Sequence, residues 1–211
     1  MQSTEKRVIG IAAIIYTVGV IGLSFGNAGI RHYFIQLTPV NLAASLLIPL
    51  LFQKKWTVGL LLGLLCVGAA GFFIEYAGVH TGLVFGNYNY GKTLGPGWHG
   101  IPFMIAVNWA MLIFFTTSFL AGKVSNPWFL AAIGGLMMTC YDFIMEPVAV
   151  WMDLWHWQKG IIPNQNYLAW FICSFILVRL FIWMSKIERN NIAIGLLVIQ
   201  TLFFGVLRLI L

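Results

Sequence analysis

Apolar residues gather in seven long runs, near 8–25, 38–53, 56–77, 101–121, 127–149, 166–186 and 191–210, with short polar breaks between them. Each run approaches the roughly 20 residues a helix needs to cross a bilayer. The pattern predicts an all-α fold, a polytopic membrane bundle of about seven transmembrane helices, with 1–211 as a single integral membrane domain. The run 38–53 is the weakest, because it is short and carries Pro39, Asn41 and Pro49. Without it the count falls to six and the orientation of every later segment inverts.

Two of these stretches follow the same plan, about 56–109 and 128–170. The first runs from Trp56 to Glu75, through Trp98-His99-Gly100-Ile101-Pro102, and re-enters apolar sequence with Trp109. The second runs from Trp128 to Glu146, through Trp155-His156 and Gly160-Ile161-Ile162-Pro163, and re-enters with Trp170. In both, the re-entry Trp lies seven residues after the Pro. With seven spans the two copies run in the same direction, which makes a parallel internal repeat about an axis along the membrane normal. Glu75 and Glu146 are then expected to approach each other at one end of the bundle.

Composition agrees with a membrane protein, with 60% apolar and 9% charged residues against roughly 25% charged in soluble domains. Lys6, Arg7, Lys54, Lys55, Lys123, Lys186 and Arg189 fall on one side of the predicted topology and only Arg31, Lys92 and Lys159 on the other. The positive-inside rule places the N-terminus in the cytoplasm and the C-terminus outside. The net charge of +6 follows from these loops and suits anionic lipid headgroups; no basic cluster suggests nucleic acid. The first run is long for a signal peptide and lacks a small-residue cleavage site, so it is read as an uncleaved span. Cys66, Cys140 and Cys173 lie within predicted spans without metal-type spacing and are read as free thiols.

Four of the six acidic residues, Glu75, Asp142, Glu146 and Asp153, belong to the two repeat units. Carboxylates in a membrane are costly and mark function by default. Asp142 and Glu146 are four apart and share a helix face. Two like charges in low dielectric do not both ionise readily, so a neutral acid beside an ionised base is expected. Pro147 biases the preceding residue away from helix, which predicts a fray or kink at Glu146. The alternative is a structural pairing of these acids with Arg179 or loop amides. The loops between are rich in glycine and aromatics, with Phe85, Tyr88 and Tyr90 spaced as an extended segment folded against the bundle. Aromatic faces in a dry cavity favour a cation. His80, His99 and His156 lack the paired spacing of membrane metal sites, and no metal is expected. No retinal-type Lys lies in the last run, and no hydrolase or phosphate-loop pattern is present.

The residues Glu75-x-x-Gly78-x-x-x-Gly82-x-x-Phe85-Gly86-x-Tyr88-x-Tyr90, then Pro102 and Trp109, Asp142-x-x-x-Glu146-Pro147, Trp155-x-Trp157 and Pro163-x-x-Asn166-x-x-x-Trp170 closely resemble the integral-membrane carotenoid-biosynthesis family. That family includes carotenoid 1,2-hydratases acting on γ-carotene, lycopene or bisanhydrobacterioruberin. The resemblance covers about 56–186.

The resemblance implies a cofactor-independent enzyme of a bacterial or archaeal membrane, drawing a long polyene from the bilayer, with lipids and other carotenoid enzymes as its partners. Such a hydratase protonates C2 of an acyclic ψ-end group, leaving a tertiary cation at C1 that water captures. Asp142 or Glu146 is expected as proton donor, with its partner or Glu75 as base. Tyr88, Tyr90, Trp109 and Trp155 are the expected cation wall; Phe85, Trp157, Asn166 and Trp170 complete the substrate-binding set. A carboxylic acid is a weak donor to an alkene, so the site must stabilise the cation strongly. Alternatives are a lycopene-type cyclase, which begins with the same protonation, and a non-catalytic carotenoid or lipid carrier.

Overall fold

The computed structural model describes residues 2–186 and 188–211. Its helices are α1 (Ser3–Phe25), α2 (Ala28–Gln36), α3 (Thr38–Leu51), α4 (Val58–Thr81), α5 (Met104–Leu120), α6 (Pro127–Trp151), α7 (Asn164–Met184) and α8 (Asn191–Ile210). Short strands β1 (Tyr88–Tyr90), β2 (Gly97–Trp98), β3 (Ile101–Pro102) and β4 (Trp155–Trp157) lie in the two loops that follow α4 and α6. Helix starts are set by side-chain caps. Asn27, Thr57, Asn126 and Asn190 each accept from the first free backbone N–H groups of α2, α4, α6 and α8.

Helices α2 and α3 break only at Leu37 and together form one 24-residue apolar span, Ala28–Leu51. The weakest predicted span therefore starts ten residues earlier than 38–53, and Pro39 falls harmlessly in the first turn of α3. Six helical spans are long and apolar enough to cross a membrane, and α5 is a shorter seventh at 17 residues. At 1.5 Å per residue, α5 is about 26 Å long. It is the central helix, buried without interruption from Trp109 to Ser118 and packed against α3, α4, α6, α7 and α8. Around it the outer helices present Ile11, Ile14, Leu65, Phe73, Leu136, Trp183 and Leu202 outward. That apolar coat is the surface of an integral membrane bundle.

Close approach between helices depends on small residues, the usual basis of packing in lipid. A Cβ at Gly59 would lie 2.2 Å from the Met184 carbonyl oxygen of α7, and one at Gly71 would lie 2.3 Å from the Trp109 ring of α5.

The repeat is visible in three dimensions as α4–β1–α5 against α6–β4–α7. β1 pairs antiparallel with β4 in a register symmetric about its centre: Tyr88 with Trp157, Asn89 with His156, Tyr90 with Trp155. The two re-entry tryptophans meet between α5 and α7, Trp109 stacked on Trp170 with ring centroids 4.6 Å apart. The two Trp-His pairs, though, have different roles. Trp155-His156 belongs to β4, whose counterpart is Tyr88–Tyr90, whereas Trp98-His99 belongs to a separate hairpin, β2–β3. Positive φ at His99 (47°) and Gly100 (80°) closes that hairpin in two residues. On the opposite side of the bundle, Glu5 accepts from Asn191 and Glu188 faces Lys55 at 3.8 Å. The odd and even loops thus segregate as seven crossings require.

Pro147 does not end or fray α6 at Glu146; the helix continues to Trp151. A proline lacks the N–H that would bond the carbonyl four residues back, here that of Phe143. The Arg208 guanidinium, from the last turn of α8, donates to that carbonyl and covers the Phe143 ring at 4.3 Å. We expect Arg208→Leu to lower thermal stability in detergent by about 1 kcal/mol. The loss should largely vanish in a Pro147→Ala background, where the backbone N–H is restored. A double-mutant cycle of melting temperatures measures this coupling.

Candidate active site

In a strand, alternate side chains point to the same side. Tyr88 and Tyr90 of β1 therefore turn inward while Asn89 is exposed, and Trp155 and Trp157 of β4 turn inward while His156 is exposed. Each strand serves the carboxylate of the helix before it. Tyr88 and Tyr90 donate their hydroxyls to Glu75 Oε2, the latter at 2.8 Å, and Trp109 Nε1 donates to Glu75 Oε1 at 3.2 Å. Trp155 Nε1 donates to Glu146 Oε1 at 2.7 Å, and Trp157 Nε1 donates to the same oxygen. The polar ends of the aromatics thus hold the carboxylates, and only their flanks line open space.

Asp142 is fully buried behind Glu146 and accepts from Asn166 Nδ2 at 2.8 Å. Its other oxygen, Oδ1, is buried without a hydrogen-bond partner among the described residues, and Glu146 is its neighbour across one helical turn. The donors are therefore shared unevenly. Glu75 receives three, and both oxygens are served. The Asp142–Glu146 pair receives three for four oxygens, all on one oxygen of each. Arg179 plays no part here: it lies over the Trp128 ring at 4.7 Å, far down α7, so the structural pairing of the acids with Arg179 does not occur.

Glu75, Glu146, Phe85, Tyr88, Tyr90, Trp155, Trp157, Asn166 and Trp170 all line one small cavity of about 20 Å³. The catalytic and substrate-binding candidates named from the sequence are thus in or beside one place, with Trp109 against Glu75 and Asp142 behind Glu146. Among the described residues no three His, Cys, Asp or Glu side chains converge as a metal would require. His80 and His99 join Tyr76 and Trp98 in an aromatic stack, and His156 meets Asp153 at 2.5 Å on the surface.

Ile105, Asn108 and Trp155 also form the wall of a second, larger cleft of about 320 Å³ between α1, α2, α3, α5, α6 and α8. Its lining is mostly apolar, including Leu23, Phe34, Leu42, Met145, Met152 and Phe203, and it reaches the lipid-facing residues Ile15 and Val40. Partway along it, a buried network ties four helices: Tyr16 Oη to Ser45 Oγ at 3.1 Å, Gln200 Nε2 to Tyr16 Oη at 2.7 Å, and Tyr141 Oη to Gln200 Oε1 at 3.5 Å. The sequence implied a lateral gap between helices for a polyene from the bilayer, but it named few of the residues that line this cleft and not Asn108. A carboxamide within an apolar helix, as at Asn108 and Gln200, is the signal that could have found them.

A family profile described as "carotenoid biosynthesis protein" matches residues 30–211. The chain belongs to this family. Within the curated proteins it is 28% identical over 130 residues to a bisanhydrobacterioruberin hydratase of Haloarcula japonica, a match spanning 57% of this chain. The matched region spans 44% of that relative's own length, less than half of it. No solved structure matches the chain. The family match takes in α2 through α8 and so includes α3 and α8, which line the cleft but carry few of the motif residues.

Two predictions follow from the geometry around Glu75. Gly71→Ala places a methyl group inside the Trp109 ring, so it should drive that ring off Glu75 and Trp170. Overpacking of this kind costs about 1–3 kcal/mol and is read as a lowered melting temperature with altered tryptophan emission. Burial, and after it the Glu75 carboxylate, push the loop phenols Tyr88 and Tyr90 above their ordinary range. The unfolded chain releases such protons near pH 10, so the folded state binds more protons there and loses stability as pH rises further. Melting curves from pH 9 to 11 should show this slope, and it should be shallower in Tyr88→Phe and Tyr90→Phe.

Proposed function

We propose that the protein is a carotenoid-modifying enzyme that adds water across the terminal C1=C2 double bond of an acyclic ψ-end group, without a cofactor. The observation that carries this reading is the joining of two spaces at one wall. An apolar cleft reaching toward lipid adjoins a small cavity lined by two carboxylates, two phenols and two carboxamides among aromatic walls. About 10–15 Å³ suffices for one water, and the carboxylate cavity has about 20 Å³. A volume near 320 Å³ falls in the range of small-molecule sites and suits the end of a polyene rather than the whole of it. The family match and the hydratase relative support the same chemistry.

The donor count suggests the roles. Glu75, with three donors, is suited to remain an anion and to act as base. The Asp142–Glu146 pair, short of donors, is suited to hold one proton between its carboxyls. Glu146, which faces the cavity, is then the acid toward C2, and Asp142 with Asn166 supports it from behind. The C1 cation forms among Phe85, Trp170 and the flanks of Tyr88 and Trp155, near the Glu75 charge. That fixed charge in a site of low dielectric is the main stabilisation available. In this reading the polyene enters sideways between α1 and α3, with the N-terminus cytoplasmic and the site toward the outer leaflet.

The test is expression in a bacterial host that accumulates lycopene or γ-carotene, with pigments resolved by chromatography, mass and absorption. A product heavier by one water with an unchanged chromophore is expected, and Glu146→Gln and Glu75→Gln should each lower it by about 10²–10⁴-fold. A product of equal mass and blue-shifted absorption would identify a cyclase. Unaltered pigment bound equally by wild type and Glu146→Gln would identify a carrier.

A further inference from the structure

We propose that Asn108 positions the attacking water, an inference that rests on the hydratase reading above. Asn108 lies on α5 immediately before Trp109 and is one of three residues shared by the walls of the apolar cleft and the carboxylate cavity. The other two, Ile105 and Trp155, offer no hydrogen-bond acceptor there; the Trp155 N–H is already committed to Glu146. The three fully buried amides of the bundle are all partnered: Asn166 with Asp142, Asn190 with Pro49 and Gln53, Gln200 with Tyr16. Asn108 is half-buried, and among the described residues its carboxamide has no hydrogen-bond partner. An unpaired amide in a membrane helix is unfavourable unless something polar meets it. Asn108 is open to the carboxylate cavity as well as to the apolar cleft, and the cavity's volume suits one water.

A nucleophilic water needs its lone pairs free. If it donates one hydrogen to Asn108 Oδ1 and the other to Glu75, both lone pairs are left for carbon. The step then balances. The O–H bond of Glu146 breaks as the alkene π pair forms the C2–H bond, leaving the cation at C1. A water lone pair forms the C1–O bond while the proton it gives up passes to Glu75. Return of that proton to the Asp142–Glu146 pair resets the site, and the net change is alkene plus water to tertiary alcohol. Asn108 touches the water and neither gains nor loses a proton.

Capture by water can be separated from formation of the cation. Wild type, Asn108→Leu, Asn108→Ser and Glu146→Gln are each supplied with lycopene or γ-carotene in deuterated water, and both the alcohol and the recovered polyene are analysed by mass. In Asn108→Leu the alcohol should fall about 10–100-fold through kcat, with KM little changed. Deuterium should still enter the recovered polyene, because protonation at C2 and its reversal do not need the water. Asn108→Ser, which keeps a small oxygen acceptor, should regain part of the alcohol, and Glu146→Gln should lose both signals. Unchanged alcohol formation in Asn108→Leu overturns the proposal. So does a joint loss of alcohol and exchange in an Asn108→Leu protein whose melting temperature matches wild type. Failure of the wild type itself to form alcohol refutes the hydratase reading, and this inference with it.

Discussion

Inside a bilayer no water is at hand to satisfy a polar group, so each one must find its partner within the protein. The arrangement of this bundle follows from meeting that demand for three carboxyl groups that share one end of it. Ordinary salt bridges do not do it: among the described residues the Lys55–Glu188 pair and the His156–Asp153 contact both lie outside this centre. Neutral donors on large aromatic side chains, Tyr hydroxyls and Trp N–H groups, serve instead. They suit the place because each carries an apolar body that belongs in the membrane and one polar edge that can be aimed. Among the described residues no Lys or Arg is paired with Glu75, Asp142 or Glu146.

Aiming those edges requires backbone held at a fixed depth, and helices alone do not provide it. The pairing of β1 with β4 does. Three residues from each loop exchange hydrogen bonds with one another, which satisfies the backbone and fixes the alternation that turns Tyr88, Tyr90, Trp155 and Trp157 inward. The near-twofold relation brings two equivalent carboxylates to one cavity, but the donor sets differ. One copy supplies hydroxyls and a Trp N–H to a single acid; the other supplies two Trp N–H groups to an acid that also has Asp142 at its back. An internal repeat has thereby yielded two unlike carboxyl environments, the basic requirement for separating an acid from a base in one pocket.

The same demand accounts for features away from the centre. The carbonyl freed by Pro147 is met by Arg208, and the polar groups of α1, α3, α6 and α8 meet one another at Tyr16, Ser45, Tyr141 and Gln200. These bonds also tie α1, α3 and α8 to the repeat core, and those helices form much of the apolar cleft. Residues with no part in the motif therefore shape the apolar cleft that adjoins it.

The apolar periodicity by itself determined the spans, because roughly 20 consecutive apolar residues have little alternative to a membrane helix. The scarcity of acids pointed to the candidate site: four of six lie in the two repeat units, and the aromatic residues spaced around Glu75 and Glu146 are their hydrogen-bond donors. Tertiary structure decided what spacing cannot express. Sequence likened Trp98-His99 to Trp155-His156, but strand pairing made Tyr88–Tyr90 the true counterpart of Trp155–Trp157. Pro147 predicted a fray or kink at Glu146, yet α6 runs on to Trp151, and an arginine 61 residues further on meets the freed carbonyl. Asn108 and the lining of the cleft were not legible because their meaning depends on contacts between helices distant in the chain. Local pattern fixes which segments enter the membrane, whereas the partner of each polar atom is set only when the helices pack.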